Sequence, residues 1–170
     1  MNVKKYLITG WIIILCAVTT ASAADIRIGL IGLDTSHVTA FTQLLNDPAD
    51  PKHIPGATVI AAYKGGSPDV EISRTRIDEY TRELQEKYQI TLYDTIEAMC
   101  RAVDAVMIES VDGRPHLEQV KPVFAAHKPV FIDKPVAGSL HDALEIYRLA
   151  AESKTPCFSA SAYRFYPSLR

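Results

Sequence analysis

The chain has 170 residues, of which 48% are hydrophobic and 22% are charged, the composition of an ordinary globular protein. This mixture argues against intrinsic disorder, collagen-like repeats and a disulfide scaffold. The formal charge of −2 argues against a broad cationic surface for nucleic acid. At about 150 residues per domain, the length allows one domain, or one domain with a tail.

The beginning of the chain has the order of a secretory signal peptide. Lys4 and Lys5 form a short positive region, residues 7–18 are apolar, and small residues at 21–23 supply a cleavage site. A membrane anchor is the alternative, but the apolar run is short for a spanning helix of about 20 residues. We therefore expect residues 1–23 to be a signal peptide that is removed. The mature domain, 24–170, is then expected in the periplasm or outside the cell, without stable membrane insertion.

Beyond this segment, apolar runs and helical spacing predict alternating strands and helices. In chain order, the pattern predicts a strand at 26–32, a helix at 36–46, a strand at 57–63, a helix at 71–88, a strand at 91–93, a helix at 96–101, a strand at 105–108, a helix from Pro115, a strand at 130–132, a helix from Leu140 and a strand at 157–161. Ser139 is predicted to cap the last helix. The apolar face of that helix is predicted to contain Leu140, Ala143, Leu144 and Tyr147.

This alternation predicts the fold class. Strands that are separated by single helices need crossover connections, which make a parallel sheet covered on both faces. Short and continuously apolar strands fit that buried setting. We predict an α/β, doubly wound, mostly parallel sheet of the Rossmann-like type. Ligands of such sheets bind beyond the carboxyl ends of the strands, so the segments after each strand are the candidate site.

The first strand is followed by a degenerate dinucleotide fingerprint. Gly32 matches the first glycine of that fingerprint. Asp34 replaces the glycine that lets the backbone approach a pyrophosphate, and His37 replaces a small residue. Asp34 could instead cap the next helix, with Ser36 as a rival cap. His37 could pack the helix or contact a ligand.

The second and fourth strands end in charged segments. The acidic residue that usually binds a ribose is missing after the second strand. Lys64 stands there, either to meet a phosphate such as that of NADP or as a solvated lysine. The fourth strand is followed by two carboxylates, an arginine and a histidine, at Glu109, Asp112, Arg114 and His116. They could contact a ligand or form internal salt bridges. A Glu/Asp/His metal site is possible in principle, but the spacing matches no standard metal-ligand pattern, so no metal site is predicted.

Lys134 follows the fifth strand. A lysine at a strand end can hold a substrate oxygen or transfer a proton. The alternative is a surface lysine in a turn that Pro135 fixes.

Four segments together resemble the Gfo/Idh/MocA oxidoreductases. They are residues 28–32, 105–106, Arg114-Pro115-His116 and Asp133-Lys134-Pro135. The resemblance covers the chain from about Ile26 to Pro167. It implies an N-terminal Rossmann domain that binds NAD or NADP, followed in the family by a C-terminal α/β domain. That second domain is absent here, so the chain is expected to be a fragment of a two-domain protein that could oligomerise through it. The alternatives are a truncated product or a partner that supplies the second domain.

The resemblance also implies residue roles. The family carries out hydride transfer on sugars, inositols and related polyols, which are the expected small-molecule substrates. Its Glu-Lys-Pro motif places the lysine beside nicotinamide and substrate, so Lys134 inherits a catalytic role. His116 matches a family histidine and is the second catalytic candidate. The candidate cofactor contacts are Gly32, Asp34, Thr35, Ser36, His37, Lys64, Ser110, Asp112, Arg114, Asp133 and Pro135.

A second hypothesis places the chain outside redox chemistry. NAD(P) should be scarce outside the cytoplasm, and export of an unfolded chain cannot carry it along. The fingerprint has also lost the glycine that a pyrophosphate needs. The same crevice could then serve an exported module that binds a carbohydrate or another small ligand, or a non-redox enzyme.

Overall fold

A computed structural model of the protein describes residues 24–169, so the predicted signal peptide lies outside the described residues. The elements are β1 (Ile26–Ile31), α1 (Ser36–Asn46), β2 (Ala57–Tyr63), α2 (Glu71–Tyr88), β3 (Thr91–Leu92), α3 (Ile96–Ala102), β4 (Ala105–Ile108), α4 (His116–Ala125), β5 (Val130–Ile132), α5 (Leu140–Ser153) and β6 (Cys157–Ser159). Two short 3-10 turns follow, at Ala162–Phe165 and Pro167–Leu169.

The six strands form one parallel sheet in the order β3-β2-β1-β4-β5-β6. This arrangement confirms the predicted doubly wound Rossmann-like sheet. The register aligns Ile31 of β1 with Ile108 of β4, and Ile108 with Ile132 of β5. The residues that follow these three isoleucines therefore lie side by side at the carboxyl edge of the sheet.

The hydrophobic core has one layer on each face of the sheet. One layer packs α1 and α2 on the sheet, with Leu30, Val38 and Leu84 among its buried residues. The other packs α3, α4 and α5 on the opposite face, around residues such as Ile108 and Val120. Successive strand residues point to opposite faces, which explains why neighbouring apolar residues serve different layers.

The predicted apolar face of α5 is wrong. Leu140, Leu144 and Tyr147 are exposed, and the buried residues of α5 are Ile146 and Ala150. The helix carries apolar residues on more than one side, so helical spacing alone did not identify the side that packs. The predicted cap of α5 is confirmed, because the Ser139 hydroxyl accepts a hydrogen bond from the backbone N–H of Asp142 (3.1 Å).

An apolar groove of about 410 Å³ lies on the α1 side of β4, β5 and β6. Its lining includes Phe41, Leu44, Met107, Phe131 and Phe158. Among residues 24–169, no helix is both long enough and apolar enough to cross a membrane.

Candidate functional site

Gly32 forms the turn that leads out of β1. Its φ of 83° lies in the left-handed region, which favours glycine. A Cβ atom at this position would lie 2.0 Å from the Ser110 hydroxyl oxygen and 2.6 Å from the Ser110 backbone nitrogen. Glycine therefore lets the end of β1 approach the end of β4, and this contact shapes the crevice.

Asp34 is buried, and each of its carboxylate oxygens accepts one hydrogen bond from the protein. It accepts hydrogen bonds from the Ser73 hydroxyl (2.6 Å) and from the Val111 backbone N–H (2.9 Å). These bonds tie the β1–α1 turn to α2 and to the segment after β4. The predicted capping role of Asp34 or Ser36 is wrong, because Thr35 is the N-cap of α1. The Thr35 hydroxyl accepts a hydrogen bond from the His37 backbone N–H (3.3 Å).

Three titratable side chains meet at the carboxyl edge of the sheet. Glu109 and Asp133 are neighbours there because each directly follows one of a pair of register partners. His37 reaches them from the first turn of α1. Its Nδ1 lies 2.5 Å from an Asp133 oxygen and 4.0 Å from a Glu109 oxygen. Ligand atoms of His37, Glu109 and Asp133 all lie within 4.8 Å of one another, and we call these residues the edge cluster.

Glu109 is the unusual member of the edge cluster. Its side chain is 0% exposed, and neither carboxylate oxygen has a hydrogen-bond partner among the described residues. Burial raises the pKa of Glu109 to about 9, and the negative charge of Asp133 adds to this effect. The positive charge of Lys134 acts in the opposite direction. The edge cluster thus contains a carboxyl group that no protein donor satisfies within residues 24–169.

Arg114 lies in a separate ion-pair network beyond β4. Its guanidinium binds Asp112 and Asp69, and the Ser67 hydroxyl donates to Asp112 (2.7 Å). The hydrogen bond from Arg114 holds the pKa of Asp112 well below its usual range. The internal salt bridges considered from the sequence are therefore present. The network borders an open pocket of about 610 Å³, which Pro135 also lines.

His116 is buried at the start of α4 and does not face the edge cluster. Its Nε2 lies 3.0 Å from the Ser110 carbonyl oxygen, and its Nδ1 lies 3.2 Å from the Val136 carbonyl oxygen. The ring thus joins the segments after β4 and β5. The Ser110 hydroxyl is itself hydrogen-bonded to the side-chain amide of Gln119 (3.0 Å). The ring nitrogens of His116 and the hydroxyl of Ser110 thus lie next to polar groups of the protein.

The remaining predicted site residues are exposed at the same edge. Lys64 follows β2 and forms an ion pair with Asp78 of α2 (2.6 Å). Ser36 is exposed at the start of α1, and Lys134 and Pro135 are exposed after β5. The structure therefore brings His37 into contact with Asp133, lets the charge of Lys134 act on Glu109, and pairs Lys64 with Asp78.

The sequence grouped Glu109 with the charged residues after β4 but did not place it among the catalytic or cofactor-binding candidates, although the edge cluster depends on it. One signal was available. Glu109 follows the apolar strand β4 as Asp133 follows β5, and adjacent parallel strands bring such residues together. The spacing along the chain does not reveal this, because positions 37, 109 and 133 belong to different strand–helix units.

The residues at α1 fit the pyrophosphate of a dinucleotide. The charge of Asp34 is turned inward, and the first turn of α1 contains no acidic side chain. The positive end of this 11-residue helix is therefore available to an anion. A pocket of about 350 Å³ lies past the end of β2, where a nucleoside binds in such folds. Its lining includes Tyr63, Gly65, Gly66 and Gln119.

The sequence matches the model of a known protein family. Residues 26–161 match the model of the Gfo/Idh/MocA family, described as an oxidoreductase family with an NAD-binding Rossmann fold. A search among curated proteins found no match.

Solved structures share the fold. A scyllo-inositol dehydrogenase from Lactobacillus casei has a TM-score of 0.63 and 19% identity, over 85% of this chain and 39% of that chain. The WlbA dehydrogenase from Bordetella pertussis, in complex with NADH and UDP-GlcNAcA, has a TM-score of 0.64 and 17% identity. The match covers 85% of this chain and 39% of that chain. A probable dehydrogenase from Thermotoga maritima has a TM-score of 0.60 and 26% identity. The match covers 79% of this chain and 35% of that chain.

The present chain therefore spans less than half the length of each of these three dehydrogenases. The family match covers most of the chain and coincides with the six-stranded parallel sheet. The chain belongs to the Gfo/Idh/MocA oxidoreductase family, of which it carries the NAD-binding Rossmann domain.

Proposed function

We propose that this chain is the nucleotide-binding part of an NAD(P)-dependent oxidoreductase that acts on a sugar or polyol. The observation that carries the proposal is the position of Lys134. This lysine follows β5 at the carboxyl edge of the sheet, and its charge acts on the buried Glu109 of the edge cluster. The ends of β1, β4 and β5 and the N-terminus of α1 surround one crevice. A scyllo-inositol dehydrogenase and a dehydrogenase in complex with UDP-GlcNAcA are among the structures that share this fold, which supports the substrate class.

The chain's own residues have distinct roles in this proposal. The first turn of α1, with Ser36 exposed, binds the pyrophosphate through backbone N–H groups. The pocket beside Gly65 and Gly66 receives the adenosine end. Lys134 orients the substrate hydroxyl or, as the neutral amine, takes its proton during oxidation. The cofactor, when bound, supplies the hydride chemistry, and the protein supplies orientation.

Replacement of Lys134 tests the catalytic part of the proposal. In the oxidation of a polyol by the complete two-domain protein, Lys134→Ala should lower kcat by about 100-fold or more, because a group that positions the hydroxyl or takes its proton is removed. The formation of reduced nicotinamide, followed by its absorbance, measures the rate. Lys52→Ala, in the exposed loop between α1 and β2, is the matched control and should leave kcat unchanged. Equal kcat values for Lys134→Ala and the control would remove Lys134 from the mechanism.

Asp34 supports a second candidate, an exported module that binds a carbohydrate or another small polar ligand without redox turnover. This residue stands where the family fingerprint has the glycine that approaches the pyrophosphate. The two candidates differ in cofactor retention. NAD(P) that remains bound through purification would support the oxidoreductase and exclude the pure binding module.

We also propose that the protein is exported, on the basis of the charged, apolar and small-residue order of residues 1–23. Cell fractionation with N-terminal sequencing tests this proposal. The expected result is a periplasmic or secreted protein that begins at Ala24. A cytoplasmic protein that retains Met1 would contradict it.

A further inference from the structure

The edge cluster has the composition of a metal site. Glu109 and Asp133 supply carboxylate oxygens, and His37 supplies an imidazole nitrogen, with all ligand atoms within 4.8 Å of one another. Carboxylate and imidazole are common ligands of Zn²⁺ and Mn²⁺. Three protein ligands also leave coordination positions for water or a substrate oxygen.

The surroundings of Glu109 point to a missing partner. Its side chain is 0% exposed, and both of its carboxylate oxygens lack a hydrogen bond among the described residues. Buried carboxylates are normally satisfied by hydrogen bonds, by paired charges or by metal ions. Lys134 influences Glu109 electrostatically, but no ion pair joins them in the described part of the chain. The unsatisfied oxygens are next to His37 and Asp133.

The distances also allow a cation to enter. Ligand atoms around such a cation are separated by about 3.0–3.4 Å, given bond lengths near 2.1 Å. The His37–Asp133 contact of 2.5 Å would have to open by less than about 1 Å, and the His37–Glu109 distance of 4.0 Å would have to close by a similar amount. The His37 side chain is 36% exposed on the first turn of α1. It therefore has room to make these shifts, and a cation can reach the site from its exposed side.

We propose that His37, Glu109 and Asp133 bind a divalent transition-metal cation, with Zn²⁺ or Mn²⁺ as the matching ions. This site adjoins the proposed phosphate-binding end of α1, because His37 lies on the first turn of that helix, but the proposal does not depend on cofactor binding or on redox turnover. A divalent cation compensates the two carboxylates and gives the Glu109 oxygens the partner that residues 24–169 do not provide. The imidazole ligand favours a transition metal over Mg²⁺.

Calorimetric titration of Zn²⁺, Mn²⁺ and Mg²⁺ into the purified, chelator-treated protein tests the proposal. The expected result is saturable one-to-one binding of Zn²⁺ or Mn²⁺, at least about tenfold tighter than Mg²⁺. Bound Zn²⁺ should also raise the Tm by several degrees, because the ion binds only the folded site. Binding of Mg²⁺ that is tighter than that of Zn²⁺ would overturn the assignment to a transition metal.

Two variants locate the binding. Glu109→Gln keeps the shape of the side chain and removes its charge, and His37→Gln removes the nitrogen ligand from a half-exposed position. Each should weaken Zn²⁺ binding by about 100-fold and abolish the Tm rise. Asp142→Asn is the matched control, because His141 and Asp142 form an exposed contact of 3.2 Å on α5. This control should bind Zn²⁺ as the unmodified protein does.

The proposal is overturned if the unmodified protein shows no saturable binding of Zn²⁺ or Mn²⁺. It is also overturned if Glu109→Gln and His37→Gln both bind Zn²⁺ as tightly as Asp142→Asn, since the ion would then occupy surface histidines. The His37 variant alters a residue near the surface, so the test remains decisive if the Glu109 variant fails to fold.

Discussion

Two buried carboxylates at this sheet edge have opposite surroundings. Asp34 accepts two hydrogen bonds, from Ser73 and Val111, whereas Glu109 accepts none among the described residues. Desolvation penalises both side chains, but only Asp34 is compensated by protein donors within that part of the chain. We therefore expect substitutions of these two residues to change stability in different ways.

Asp34→Ala should lower the free energy of unfolding by about 2–4 kcal/mol. The substitution leaves the buried Ser73 hydroxyl and the Val111 N–H without their acceptor. Chemical denaturation measures the change. Asp78→Ala, which removes only an exposed ion pair with Lys64, should leave the free energy of unfolding nearly unchanged. Similar losses for the two variants would contradict the structural role of Asp34.

Glu109 should make the protein less stable as the pH rises. Burial and the charge of Asp133 raise the pKa of Glu109 in the folded protein from 4.5 to about 9. Between these two pH values the folded protein keeps a proton that the unfolded chain releases. The contribution of this proton to the free energy of unfolding is therefore fully present below about pH 4.5 and is lost as the pH rises toward about 9. His37 and Lys134 are the other titratable groups that bear on Glu109.

In the presence of a chelator, the free energy of unfolding should fall by up to about 3 kcal/mol between about pH 5 and pH 8. Glu109→Gln should flatten this fall, because the amide has no proton to lose. Glu118→Gln on the exposed surface of α4 should preserve it. An equally steep fall in Glu109→Gln would show that other groups cause the pH dependence.

At the scale of elements, the strands and helices followed closely from the sequence. Continuous apolar runs bounded by glycine, proline or charge identified the strands, because both faces of a parallel sheet are buried. The packing side of α5 did not follow, since its Leu140 and Ile146 are equally apolar but only Ile146 packs on the core. The cap of α1 did not follow either, because Thr35, Asp34 and Ser36 are all suitable caps and tertiary contacts decide among them.

A very close approach between two elements occurs at Gly32. Gly32→Ala should cost more than about 3 kcal/mol or prevent folding, because a Cβ would collide with Ser110 of the segment after β4. Circular dichroism and denaturation measure the effect. The double variant Gly32→Ala/Ser110→Ala should not recover stability, because the Ser110 backbone atoms N and Cα would lie 2.6 Å and 2.7 Å from the added Cβ.

Gly56 provides the control for backbone strain alone. It also has a positive φ, 95°, but a Cβ added there would meet no described atom within 4 Å. Gly56→Ala should therefore cost only about 1 kcal/mol. If the Gly32 and Gly56 variants lost equal stability, the contact with Ser110 would be irrelevant.

At the scale of the whole molecule, the parallel sheet assembles a site from distant parts of the chain. Strand register places Glu109 beside Asp133, and the crossover through α1 brings His37 above them. The sequence predicted which residues follow the strands at the carboxyl edge of the sheet, because that follows from topology. It did not predict which side chains touch, since side-chain direction and burial depend on the folded packing.

The central claim is that this crevice binds a nicotinamide dinucleotide. Calorimetric titration of NAD⁺, NADH, NADP⁺ and NADPH into the purified protein tests it most directly. We expect saturable one-to-one binding, and Ser36→Glu should weaken it at least about tenfold because it places a carboxylate at the open end of α1.

Thr75→Glu, which adds the same charge on the exposed surface of α2, should bind the dinucleotides like the unmodified protein. A preference for the 2′-phosphate of NADP⁺ would implicate Lys64. Absence of binding of all four dinucleotides by the folded protein, or equal binding by Ser36→Glu and Thr75→Glu, would contradict the proposed site.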